Sequence, residues 1–365
     1  MKHPSAYLKP EWIKIIRDHA SKAEAMGMLH PEQLALIHEQ GWFKFLVPEI
    51  YSGLQLALPE QVRLEESLSW ANGSLGWVVT LCSGAGWFGG FLQPELAAGV
   101  FKHPQLCLAG SGAATGTATI SGNGYIVNGI WKYASGVHHA THITANCVIM
   151  QGNEAVTNDD GTPLILPFVF DKKNVTVLPG WKYMGMMATG SDAYEVKNLF
   201  VNGDRCFKID PAAAIVDAPL YKYFFLQLAE ATLAANISGL AIHFIDLCGP
   251  VFRERWEQGK VTEAQKGIMS NTLNIAIERV ENARREFYNA VDASWDAIIM
   301  HGSITRSLFE KVSHTSRQLT KTAREGVNAL YPDCGLMAAN PGTELNQVWR
   351  DIHTAGQHSL LTFDA

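Results

Sequence analysis

A chain of 365 residues is long enough to bury large cores without metal or disulfide staples. Its 47% hydrophobic and 18% charged residues, with ten tryptophans, point to extensive burial and favour contacts between subunits. A net charge of −6 with no long basic block argues against a nucleic-acid footprint and against an anionic membrane surface, which leaves a small molecule as the expected partner.

The cysteines (Cys82, Cys107, Cys147, Cys206, Cys248, Cys334) are scattered singly with no CxxC pair, and read as buried thiols in a reducing compartment. Met1 to Ser5 lack the apolar core of a signal peptide, so the cytoplasm is expected.

From Pro10 to about Phe101 the pattern is helical, with segments near Glu11 to Ala25, Pro31 to Glu39 and Pro59 to Leu81. Between the second and third, Pro48 and Gly53 force an extended link. Ser67 to Pro94 carries no charge and is long enough to span a bilayer. Its glycines and polar residues (Asn72, Ser74, Thr80, Ser83) dilute the hydrophobicity, and a helix enclosed by protein is expected instead. The glycines admit either a packed helix or a flat ligand, the latter making Trp77 and Trp87 pocket walls.

After Phe101 short β-branched runs take over. Thr117 to Ser121 and Tyr125 to Gly129 flank a turn and predict a hairpin, with Asn123-Gly124 supplying the positive φ values. Further strands are expected at Ile143 to Met150, Leu164 to Phe170, Val175 to Leu178 and Ala193 to Val201. No glycine-rich loop of dinucleotide-binding spacing joins a strand to a helix, which disfavours a nicotinamide fold. Helix returns from Leu220, and Leu273, Ala276, Val280, Ala283, Phe287 and Val291 keep amphipathic spacing. Tyr221 to Leu247, Thr305 to Ala329 and Glu344 to Thr354 complete an expected four-helix bundle. The class is α+β: a helical domain over 1–104, a β domain over 105–215 and a bundle over 216–365.

Five segments in this order resemble the acyl-CoA dehydrogenase superfamily over almost the whole chain. They are Leu46-Val47-Pro48-Glu49-Ile50-Tyr51-Ser52-Gly53, Gly73-Ser74-Leu75-Gly76-Trp77, Gly129-Ile130-Trp131-Lys132-Tyr133-Ala134-Ser135-Gly136, Thr189-Gly190-Ser191-Asp192 and Trp349-Arg350-Asp351. The resemblance implies an N-terminal helical domain, a β-barrel-like central domain and a four-helix bundle, assembled as a homotetramer with flavin between the β domain and the bundle. Where dehydrogenases of this superfamily carry a catalytic glutamate, about nine residues after the arginine, this chain has Ser359, whose hydroxyl is a poor base. Glu230 falls near the place of the base in another dehydrogenase branch, although a helix-face charge or a buried, paired carboxylate is the simpler reading.

His358, eight residues after Arg350, is similar to the histidine of the two-component flavin-dependent monooxygenases on this fold. That branch takes reduced FMN or FAD from a separate flavin reductase and oxygenates small, often aromatic substrates through a C4a-hydroperoxyflavin. The resemblance implies His358, Ser135 and His139 as catalytic residues. It implies Ser111, Gly112, Trp131, Tyr133, Ser135, Thr189 and Ser191 around the flavin, and Trp77, Trp87 and His139 around the substrate. A histidine there serves hydroperoxide formation or deprotonates a phenol. No metal is expected: His138, His139 and His142 lack carboxylate or cysteine at ligand spacing, and His353 and His358 lie on different helix faces unless the helix breaks. Gln347 stands where relatives usually carry arginine. Two rival functions remain, an acyl-CoA dehydrogenase-like desaturase using Glu230 and a non-catalytic flavin-binding protein.

Overall fold

Helix boundaries follow cap chemistry in the computed structural model of the chain, which describes residues 1–362. The first third forms α1 (Pro10–Asp18), α2 (Ala20–Met26), α3 (Pro31–Glu39), α4 (Leu58–Ala71), α5 (Gly73–Gly86) and α6 (Pro94–Phe101). Prolines open α1, α3 and α6, where the missing N–H leaves no helical bond unmade. The helix expected over 11–25 is two helices, because His19 leaves helical geometry and turns its Nδ1 onto the Ile15 carbonyl at 2.9 Å. The helix expected over 59–81 is also two. Asn72 adopts an extended conformation (φ −161°, ψ 126°) that ends α4, and its side-chain oxygen accepts the Leu75 N–H at 3.0 Å to start α5.

The middle third forms β1 (Leu108–Ser121), β2 (Gly124–Trp131), β3 (His142–Gln151), β4 (Glu154–Ala155), β5 (Ile165–Asp171), β6 (Thr176–Leu178) and β7 (Ala193–Asn202). They make one sheet in the order β4-β3-β1-β2-β7-β6, with β5 on the far side of β3 and β1 parallel to β3. A bridge between Phe168 and Cys206 links β5 to the segment after β7 and curls the sheet round its own core. The expected β1–β2 hairpin forms, but Ser121 pairs with Gly124, so the turn is Gly122-Asn123 rather than Asn123-Gly124 and the positive φ (58°) falls on Gly122.

The last third forms α7 (Phe225–Glu257), α8 (Glu263–His301), α9 (Arg306–Leu330), α10 (Leu336–Ala339), α11 (Glu344–Ala355) and α12 (Ser359–Thr362). The central α7 packs against α4, α5, α8, α9 and α11. As a result the N-terminal helices and the C-terminal helices share a single hydrophobic core, while the sheet keeps a separate one.

Two adjacent carboxylates on α4 are fully enclosed in that shared core. Glu66 is saturated: Arg284 donates through Nε (2.7 Å) and Nη2 (2.6 Å), Tyr288 through its hydroxyl (2.8 Å) and Ser238 through Oγ (2.5 Å). This ties α4 to α7 and α8. Glu65 is different: its Oε1 accepts from Gln61 (2.9 Å) and Ser83 (3.4 Å), but Oε2 is buried without a partner among the described residues. Burial pushes its carboxyl up to about 8.

Candidate functional site

A chain of side-chain hydrogen bonds crosses from α5 to the loops of the β domain. Trp77 Nε1–H donates to Ser135 Oγ (3.2 Å), Ser135 and Ser191 share a bond of 2.8 Å, and Ser191 and Thr189 share one of 2.6 Å. Thr189 Oγ1 donates to the Met186 carbonyl at 2.8 Å. A carbonyl and an indole N–H have fixed roles, so the direction of the whole chain is determined. Each hydroxyl accepts from its predecessor and spends its proton on its successor. Ser135, Ser191 and Thr189 therefore have lone pairs to offer a bound group and no proton.

The loop carrying Thr189 and Ser191 is held from several sides. Asp192 accepts the Gly180 (2.6 Å) and Trp181 (2.7 Å) N–H groups on one oxygen and bonds His138 Nε2 (2.8 Å) on the other. Burial opposes ionisation of Asp192, but the Trp181 N–H, His138 and the Gly180 N–H outweigh it and hold the carboxyl below its usual range. Met186 is left-handed (φ 54°), unusual for a residue with a side chain, and its N–H donates to Asp351 Oδ1 at 2.5 Å. Tyr133 is likewise left-handed (φ 65°), and its exposed ring sits beside Trp181 and Tyr183. Strained residues and exposed aromatic rings meet at the edge of the hydroxyl chain.

His358 follows a real break in the chain. The helix α11 ends at Gly356, so His353 and His358 are not on one helix. The His358 ring lies 6.0 Å from the Trp77 ring. Burial pushes its imidazole below the usual value, which keeps it neutral at pH 7, and its Nδ1 accepts the Leu360 N–H at 3.4 Å. The proton then resides on Nε2, which has no partner among the described residues. On α5, Trp77, Leu81 and Gly84 share a face, and a Cβ added at Gly84 would meet nothing within 4 Å. The structure thus brings together Trp77, Ser135, Thr189, Ser191 and His358, with Tyr133 at the rim.

Other expected residues lie elsewhere. Trp131 is fully buried in the sheet core, stacked on Tyr194 at 5.3 Å with its Nε1 on the Asn146 carbonyl; it presents no ring face to a cofactor. Gly116 and Gly129 leave the room its ring fills. Trp87 is also a core residue, packed on Phe91 and bonded to the Leu220 carbonyl, so it walls no substrate pocket. His139 accepts the Leu29 N–H on Nε2 (3.2 Å), and burial, with the nearby His138 and His38, pushes it down to about 4; it anchors the loop after α2. Ser111, half-buried, and Gly112, exposed, form a ledge on β1, with Asn146 donating to the Gly112 carbonyl (2.8 Å) and no hydrogen bond to the hydroxyl chain among the described residues. The loop histidines are engaged separately, His138 with Asp192 and His142 with Asp171 (3.7 Å).

The bond from the Met186 N–H to Asp351 is not legible from the sequence. The Trp349-Arg350-Asp351 motif is the signal that marked the position, but nothing in it names a loop as the recipient.

Comparison with known proteins agrees with this geometry. Residues 231–363 match the family described as acyl-CoA dehydrogenase, C-terminal domain. The chain is 26% identical over 364 residues to the flavin-dependent monooxygenase oxygenase subunit HsaA of Mycobacterium tuberculosis, covering 94% of this chain and 88% of that one. The crystal structure of the HsaA monooxygenase from M. tuberculosis superposes with a TM-score of 0.88 at 21% identity, covering 98% of this chain and 94% of that one. XiaF from Streptomyces sp., in complex with FADH2 and glycerol, superposes at 0.86 with 20% identity (96% and 89% covered). TdsC from Paenibacillus sp. A11-2, with FMN and indole, superposes at 0.73 with 19% identity (96% and 92% covered). Residues 231–363 are thus similar to the acyl-CoA dehydrogenase C-terminal domain, and the whole chain shares the fold of these structures. Other relatives of similar sequence are named indole-3-acetate monooxygenase, from Pseudomonas putida (21% identical, 95% and 88% covered), and p-hydroxyphenylacetate 3-hydroxylase, oxygenase component, from Acinetobacter baumannii (22% identical, 96% and 83% covered).

Proposed function

We propose that this chain is the oxygenase component of a two-component flavin-dependent monooxygenase, taking reduced FMN or FAD from a separate reductase and using O2 to oxygenate a small molecule. The polarity of the hydroxyl chain carries the reading. Ser135 and Ser191 can only accept, so they suit a ring edge that presents an N–H. Reduced flavin has an N–H where the oxidised ring has a bare nitrogen acceptor. An enzyme that receives its flavin already reduced needs that preference.

The residues present fit such a cofactor. Tyr133, Trp181 and Tyr183 offer ring surface at the rim, and the Ser111-Gly112 ledge leaves main chain open on β1. When bound, the reduced flavin would supply the two electrons that activate O2, one oxygen atom of which passes to the substrate while the other leaves as water. Trp77, Leu81 and Gly84 wall the adjoining space and exclude water. His358 holds its proton on Nε2 and so donates a hydrogen bond to an oxygen in the site; deprotonating a phenol would require the other tautomer. The desaturase reading finds no base, because Glu230 is occupied by Arg317 (2.6 Å) on one oxygen and by Ser313 on the other.

Anaerobic mixing with chemically reduced FMN or FAD, followed by O2, should produce a transient near-ultraviolet absorbance, and His358→Ala should slow turnover about 10²-fold. Bleaching of tightly held oxidised flavin by an acyl-CoA, with no such transient, would refute the assignment. The same reading includes a cytoplasmic homotetramer, supported by the exposed Ile268, Ile275, Ile299 and Met300 on α8. It also keeps the division into 1–104, 105–215 and 216–365.

A further inference from the structure

The interactions around the site form a closed circuit that begins and ends on one segment. Asp351, fully buried on α11, accepts the Met186 N–H at 2.5 Å. The other side of the same residue, the Met186 carbonyl, receives Thr189 Oγ1 (2.8 Å), Thr189 N–H (3.1 Å) and Trp181 Nε1 (2.9 Å). From Thr189 the hydroxyl chain runs through Ser191 and Ser135 to Trp77, and the Trp77 ring faces His358, seven residues after Asp351. Asp351 also touches the helix that carries Trp77: its Oδ2 lies 3.2 Å from where a Cβ on Gly73 would be.

Neighbouring contacts explain why the burden falls on this residue. A left-handed methionine is disfavoured by about 1 kcal/mol or more and must be held by its surroundings. Arg350 clamps Glu24 through both terminal nitrogens (3.0 and 3.1 Å) and donates to the Met184 carbonyl, and Gly185 lets the loop lie against the Arg350 main chain. These contacts bring the loop to α11, and among the described residues Asp351 alone takes the Met186 N–H, one peptide before the carbonyl that sets the direction of the hydroxyl chain.

We propose that Asp351 is the positioning residue of the site, holding Met186 by its N–H so that the carbonyl on the other side of that residue keeps Ser135 and Ser191 as acceptors and His358 remains against Trp77. The proposal rests on the flavin site described above, and it has a part that needs no flavin. Burial keeps the Asp351 carboxyl up at about 7, so even when it is protonated its carbonyl oxygen still accepts the Met186 N–H.

The test compares Asp351→Leu with Asp351→Asn, which keeps a side-chain oxygen for that N–H. The first reading is the His358 imidazole NMR signal of flavin-free protein. The second is the ratio of affinities for reduced and oxidised FMN. Asp351→Leu should shift the signal and reduce the ratio by about tenfold or more, as loss of an outer-shell partner does, while Asp351→Asn leaves both near wild type. Should Asp351→Leu not fold, Asp351→Ala takes its place, since it removes the acceptor without adding bulk. The proposal is overturned if removing the acceptor moves neither reading, or if the asparagine variant moves both equally. A wild type that shows no preference for reduced FMN refutes the functional reading alone, because the His358 signal still decides the role of Asp351.

Discussion

Glu65 and Glu66 show how little a residue's type says about its role. Both are buried glutamates on α4, yet one is saturated by four donors and the other keeps an oxygen without a partner. Glu65 has a folded-state value of about 8, above its ordinary 4.5, so the folded protein holds this proton more tightly than the unfolded chain. The resulting stability is fully present below pH 4.5 and is lost as pH rises through 8. Glu65→Gln should flatten the fall in thermal midpoint across that window, and parallel curves for variant and wild type would contradict it. The tryptophans make the same point. Trp77, Trp87 and Trp131 were all candidates for the site, and of the three only Trp77 bonds to the hydroxyl chain. The bulge opposite Val127 and Gly129 lies on β7, so alternation along β2 runs unbroken from buried Val127 to Trp131 and already turns that ring into the sheet core. Trp131→Phe should lower the thermal midpoint and leave reduced-flavin affinity unchanged, as titration would show.

Most helices and strands were legible from apolar spacing and punctuation, and the misses have local causes. The helix break at His19 carries no proline or glycine, so the periodicity ran straight across it, whereas the break at Asn72 is marked by the Asn72-Gly73 pair that the apolar spacing overrode. Asn72 is legible in retrospect as a cap followed by small residues. Asn72→Ala should cost about 1 kcal/mol, read as a shift in denaturation midpoint without a change in slope. The first half of β1 went unseen because Gly110 to Ala114 lack the β-branched residues that mark a strand. The glycine-rich segment answered to both of its readings. Gly73 and Gly76 are packed so closely that a Cβ would come within 2.5 Å of a neighbour, whereas Gly84 opens onto free space.

At the scale of the molecule, the order of helices, strands and helices was readable, but the sharing of one core between the first and last thirds was not. Hydrophobic spacing identifies a buried face and does not name its partner. The Glu66–Arg284 pair, 1% exposed on each side, fastens that junction across 218 residues. Arg284→Met should cost about 3–5 kcal/mol by leaving Glu66 buried and uncompensated; chemical denaturation would show it, and a loss below 1 kcal/mol would mean that Ser238 and Tyr288 suffice. The shared core also bears on synthesis. The sheet encloses its own core and can close while the ribosome is still translating α7 to α9. The first helices have no such option. Their apolar faces emerge earliest and wait longest, until the end of the chain arrives to cover them, which makes the nascent N-terminal segment the natural client for a chaperone.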